Sequence, residues 1–204
     1  MKYLSLLVLS ACTAAPILTT TPSEVVATPT PATVPVTEQL TRVSLTKLTG
    51  ASATERTKLS IAARAAEVVL NSPEFRKRIL EFKFQDDSKL SNEAIYKRIR
   101  EGAEKLKPET NYQADLELSL YTPPFYKKWT VVGYTYVTTP VQWMNRYYFN
   151  KFSAPQIAGN LVHEWTHKLG FGHDFKSTKR RPFSVPYAVG DIVAELAAGV
   201  KDSS

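Results

Sequence analysis

Among its 204 residues the chain holds one cysteine, three histidines, two methionines and eight glycines. A single cysteine excludes an internal disulfide and any four-cysteine zinc site. No run of 18 or more apolar residues occurs, which excludes a membrane-spanning helix in the mature chain. Carboxylates are in the minority, 19 against 26 lysines and arginines, for a net charge of +7. No polybasic block with interleaved aromatics marks a nucleic-acid groove, so no nucleic-acid partner is expected and the charge reads as a solvating surface. Hydrophobic residues at 43%, charged at 22% and aromatic at 11% make a globular composition, enough for one ordinary domain with extra segments.

The N-terminus reads as an address. Lys2 is a minimal positive n-region, Tyr3 to Leu9 an apolar h-region, and small residues Ser10 and Ala11 precede Cys12. Leu9-Ser10-Ala11-Cys12 resembles a bacterial lipobox, which implies cleavage after residue 11 and a lipid anchor on Cys12. The expected location is the bacterial cell envelope, and Thr13 in place of Asp favours the outer membrane or cell surface. The alternatives are a plain secretory signal with a chance cysteine, or a cysteine that shields a metal in a latent enzyme. From Thr13 to Thr37 stand eight Thr and five Pro without hydrophobic periodicity, so 12–40 reads as the lipidated cysteine and an extended tether. The folded domain is expected over 41–204.

Within it, Thr54 to Asn71 has the spacing of an amphipathic helix, with apolar residues at 59, 62, 66, 69 and 70. Ser72-Pro73-Glu74 starts a second helix and Ser91 a third, which is expected to run to about Leu106 before Pro108. Ala114 to Tyr121 alternates as a half-buried strand. Thr130 to Thr138, apolar on both faces, reads as a central strand, and Val141 to Asn150 as another strand, at an edge. Ser153 and Gln156 form a capping box for a helix from 154 to about Leu169, ended by Gly170. Asp191 to Gly199 reads as a short C-terminal helix with Asp191 as its N-cap. The class is α+β.

Residues 163–174 read His-Glu-Trp-Thr-His-Lys-Leu-Gly-Phe-Gly-His-Asp. His163 and His167 are four apart; four helical residues rise about 6 Å and turn roughly 400°, so both rings leave one face. Two imidazoles so placed can hold one zinc ion at about 2.0–2.1 Å each. Glu164 is one step round, too offset to ligate but aimed beside the metal. Gly170 permits a chain reversal that returns His173 to the same point. Three nitrogens and one open position suit a catalytic rather than a structural zinc. All three histidines of the chain lie within these residues, a clustering that core histidines do not explain.

The spacing HExxHxxGxxHD resembles the active-site signature of the metzincin zinc endopeptidases. That resemblance implies a small zincin-like domain with N-terminal helices, a short mixed β-sheet, an active-site helix and a C-terminal helix. It implies His163, His167 and His173 as zinc ligands, Glu164 as general base and acid, and Gly170 and Asp174 as supports of the loop. The family's methionine turn is absent: Ser184-Val185-Pro186-Tyr187 resembles its Ser-x-Met-x-Tyr form with Val185 at the methionine position. Tyr187 is then a candidate to stabilise the oxyanion, or simply a packing tyrosine. Glu195 or Asp191 is a rival third ligand, as a downstream carboxylate is in the gluzincin group.

The expected function is a zinc metallopeptidase acting on a peptide or protein substrate and held to the membrane through Cys12. The rivals are a non-catalytic envelope lipoprotein that binds a partner and retains a zinc site, and a chance motif. Intact Glu164 favours the enzyme. Trp129, Trp143, Tyr147, Tyr148 and Phe149 read as aromatic core, with a groove lining as the alternative.

Overall fold

The computed structural model describes residues 39–85 and 88–200. The expected signal, Cys12 and all but the end of the tether lie outside the described residues. Those residues form an α+β unit of six α-helices and one four-stranded mixed sheet, with strand order β1-β2-β4-β3. The chain enters through β1 (Arg42–Thr49), passes through α1 (Ala53–Leu70), α2 (Pro73–Glu81) and α3 (Asn92–Glu101), and returns as β2 (Gln113–Tyr121) parallel to β1. β3 (Gly133–Thr135) lies antiparallel to β4 (Val141–Asn145), which is parallel to β2. α4 (Arg146–Lys151), α5 (Ala154–Lys168) and α6 (Val185–Ala197) follow.

Capping chemistry accounts for the helix starts. Ser52 and Glu55 form a capping box on α1, Ser72 accepts from the Phe75 amide ahead of Pro73, and Ser91 accepts from the Ala94 amide. α3 stops at Gly102, at φ 68°, five residues short of the expected run to Leu106. A Cβ on Gly102 would lie 2.5 Å from the Gln113 carbonyl oxygen, so the left-handed turn and the close approach to β2 both require glycine there.

The strands depart from expectation in three places. β1 was not foreseen: Val43 and Leu45 pair in register with Ala114 and Leu116, but Thr46 bulges out and shifts Leu48 onto Leu118, which breaks the alternation that marks a strand. Thr130 to Thr138 supplies only the three-residue β3, at the edge and not the centre of the sheet. β4 is interior, between β2 and β3, and ends at Asn145, whose side chain caps α4; the expected strand to Asn150 is half helix.

Leu116, Leu118 and Leu120 of β2 alternate inward as expected and join Met144 beneath α1 and α5. Ile157, Ala158, Leu161, Val162 and Trp165 fill the sheet-facing and α6-facing sides of α5. Each large side chain so buried contributes about 1.5–3 kcal/mol, which makes α5 the centrepiece of the core. The opposite side of the sheet is aromatic: Tyr134 stacks on Trp143 with centroids 5.1 Å apart. Among the described residues no helix is long and apolar enough to cross a membrane.

Candidate metal centre

The α5 capping box forms as the spacing implies, with Ser153 accepting from the Gln156 amide and the Gln156 side chain accepting from the Ser153 amide. At the other end Gly170 adopts φ 94°. Its amide donates to the His167 carbonyl and the Phe171 amide to the Thr166 carbonyl, the paired bonds of a Schellman turn. This turn throws the chain back so that His173 meets the helix. Ring centroids lie 5.1 Å apart for His163–His167, 5.4 Å for His163–His173 and 4.8 Å for His167–His173. One nitrogen from each ring lies within 4.8 Å of the other two.

The ring nitrogens are sorted by the backbone. His167 Nδ1 stands 2.9 Å from the Phe171 carbonyl oxygen and His173 Nδ1 3.0 Å from that of Asp174. A carbonyl only accepts, so Nδ1 carries the proton and Nε2 presents its lone pair, the tautomer a metal ligand needs. Burial pushes all three histidines below the ordinary value, His167 to about 4 and His163 well below, with the neighbouring histidines adding to the effect at His163. They are neutral at pH 7, as ligands must be. Three neutral imidazoles within 4.8 Å of one another could hold one metal ion, and zinc is among the ions that imidazole nitrogens suit.

Glu164 faces the sheet edge beside the histidines, 5% exposed. Burial raises its carboxyl to about 8, opposed by the Lys168 charge. Gly133 of β3 makes room for it: a Cβ there would stand 3.2 Å from Glu164 Oε1 and 3.1 Å from Asn160 Oδ1. A glycine inside a strand pattern signals such close approach, and Gly133 is the sequence feature that carries that signal here.

Tyr187 reaches the histidines from α6. Its ring lies edge-on to His163 at 4.7 Å and 4.8 Å from His173. The segment Ser184–Tyr187 is the first turn of α6, not a separate tight turn, and α6 starts at Val185 with Ser184, not Asp191, at the N-cap. Pro186 at the second helical position explains the early start. Val185 is fully buried. Two glycines set the closeness of α5 and α6: a Cβ on Gly159 would fall 2.5 Å from the Gly190 carbonyl oxygen, and one on Gly190 3.0 Å from His163 Cβ.

Of the rival ligands, Glu195 pairs with Arg78 at 2.7 Å, and neither Glu195 nor Asp191 joins the histidines: the described group able to hold a metal is His163, His167 and His173. Asp174 braces the loop, accepting from Arg180 at 2.9 Å and from the Thr178 hydroxyl. Two braces escaped sequence reasoning. Trp165 Nε1 donates to the buried Glu104 carboxylate at 2.9 Å, and Lys168 Nζ donates to the Thr139 carbonyl at 2.9 Å. No local pattern marks these long-range partners. Of the aromatics, Phe149 is core at 1% exposure, whereas Trp129 is 54% exposed.

No known protein family, curated protein or solved structure matches this chain.

Proposed function

We propose that the chain is a zinc-dependent peptidase of metzincin type, an endopeptidase tethered to the bacterial cell envelope through Cys12. The carrying observation is the convergence of His163, His167 and His173 with the carboxylate of Glu164 on the same helix, against an edge strand. Zinc held by the three histidine rings would supply a Lewis acid that polarises a carbonyl and acidifies water.

The chain's own groups do the rest. Glu164 projects from the residue after the first ligand, takes the proton of the attacking water at a carboxylate oxygen and returns it to the leaving amine. Tyr187, in edge contact with two histidines, offers its hydroxyl to the carbonyl oxygen as negative charge develops. Among the described residues β3 has one partner, β4, so its outer backbone is open to an extended peptide laid along the sheet edge. The half-buried rings of Tyr134 and Trp143 stiffen that edge.

The test uses residues 41–204 with zinc supplied. One zinc per chain and cleavage of members of a broad peptide library support the reading. Stoichiometric zinc without cleavage transfers it to the binding lipoprotein, and absence of zinc removes it.

A further inference from the structure

Among the described residues Arg181 is a cation without an ion-pair partner at the rim of the histidine cluster. Its guanidinium lies 4.7 Å over the Tyr187 ring, and that ring is in contact with His163 and His173. Among the described residues other site-side or neighbouring arginines are matched, Arg180 with Asp174, Arg78 with Glu195 and Arg146 with Glu55. Arg181 has the carbonyl of Phe175 at 3.4 Å, and its buried Nε has no acceptor. A guanidinium carries five N–H donors in a planar fork; the Tyr187 hydroxyl takes one and the Phe175 carbonyl another, which leaves the remaining donors for a ligand.

The segment that carries Arg181 is basic: between Glu164 and Asp191 the sequence has one acid, Asp174, against Lys168, Lys176, Lys179, Arg180 and Arg181, although Lys168 is buried and faces Glu104. Asp174 is already engaged by Arg180 and Thr178. A divalent cation at the histidines would raise the local positive charge further. A small open recess beside His173, with room for about one water, is bounded by Gln85, Gly172, Asp174, Arg180, Arg181 and Ser184, and a Cβ on Gly172 would meet nothing within 4 Å.

We propose that Arg181 forms a carboxylate-binding subsite beside the three histidines, so that the site selects peptides carrying a carboxylate next to the bond it holds. The inference rests on the peptidase reading for its substrate class, but the subsite itself is defined by Arg181. A planar fork matches a carboxylate with two parallel hydrogen bonds. The carboxylate comes either from an Asp or Glu side chain or from the substrate's C-terminus.

Binding is measured apart from turnover, by fluorescence anisotropy on zinc-loaded Glu164→Gln and on zinc-free wild-type chain. The probes are fluorescein-labelled alanine hexapeptides: an amidated set with one Glu moved through each position, the matching Gln set, and an alanine peptide with a free C-terminus. Hydrogen bonds to a charged group predict that the best Glu peptide, or the free C-terminus, binds roughly tenfold tighter than its neutral counterpart. That preference weakens as salt is raised. Adding Arg181→Gln collapses the preference to within about twofold, and Arg181→Lys retains part of it, because the charge survives and the fork does not. A Glu preference at one position assigns a side-chain subsite, and a preference for the free terminus alone assigns an exopeptidase-like one. Equal binding of charged and neutral peptides, no binding of any, or a preference that survives Arg181→Gln in a folded chain overturns the proposal. If wild-type chain cleaves nothing while the Glu164→Gln chain keeps the Arg181-dependent preference, the subsite stands and the peptidase reading falls.

Discussion

Replacing either glycine at the α5–α6 crossing by alanine separates what holds the helices together from what holds the site. In an exposed helix interior, Gly→Ala stabilises by about 1 kcal/mol through backbone entropy. At Gly159 the new methyl would stand 2.5 Å from the Gly190 carbonyl oxygen and 2.8 Å from Ala194 Cβ. Neither contact can swing away, since one is backbone and the other a methyl fixed to its helix. Overpacking of this kind costs about 1–3 kcal/mol, and the backbone contact places Gly159 in the upper part of that range. The net expectation is a loss of about 1–2 kcal/mol, or roughly 2–8 °C in Tm for a domain of this size. Gly190→Ala meets the Gly159 carbonyl oxygen and His163 Cβ, both at 3.0 Å. Its loss of stability is smaller, but it displaces a ligand, so zinc affinity falls more than in Gly159→Ala. Calorimetry of the metal-free chains and competition against a zinc chelator read the two effects. A rise in Tm for Gly159→Ala refutes the close crossing, and equal zinc affinity for the two variants refutes the contact between Gly190 and His163.

Gly133→Ala places a methyl against Glu164 Oε1 and Asn160 Oδ1 at 3.1–3.2 Å. Tm is expected to change by under 1 kcal/mol equivalent, about the scale of strand propensity, while turnover falls on the order of 10²-fold through misplacement of Glu164; equal loss in both would point to simple unfolding. Glu104 has its carboxyl raised by burial, partly opposed by the Trp165 hydrogen bond. A raised folded-state value means stability is full below the unfolded value of 4.5 and is lost as pH rises through the folded value. Glu104→Gln keeps an acceptor for Trp165 and removes the loss, so urea midpoints at pH 7.5 and pH 4 should show the variant gaining on wild type only at the higher pH. Cys12→Ser should shift the protein out of the detergent phase of a fractionated cell; unchanged partition removes the lipid anchor.

Much of this was legible because local chemistry carried it. Serine caps, Pro73, the Ser153–Gln156 box and the helical spacing of His163 and His167 are contained in short windows, and the helices they mark appear within a residue or two of expectation. His173 was legible through Gly170, whose left-handed conformation turns the chain back. The sheet was harder. A bulge at Thr46 hid β1, and the aromatic run from Thr130 read as a buried centre when its side chains line a half-exposed edge. Burial and edge position depend on which strands pair, and pairing is long-range. The same limit hid Glu104, 61 residues from Trp165, and the close approach of Gly190 to His163. The early start of α6 was missed because Asp191 offered a cap signal that the first turn at Pro186 overrides.

The central claim is that His163, His167 and His173 hold the metal while Glu164 performs proton transfer without ligating it. Zinc content and peptide turnover measured together on Glu164→Gln, His173→Ala and Glu195→Ala test it most directly. Glu164→Gln should keep one zinc per chain and lose about 10²–10⁴-fold in rate. His173→Ala should lose zinc affinity itself, while Glu195→Ala, which severs only the 2.7 Å pair with Arg78, should retain both zinc and turnover. Loss of zinc in Glu195→Ala with retention in His173→Ala, or full turnover in Glu164→Gln, would contradict the account.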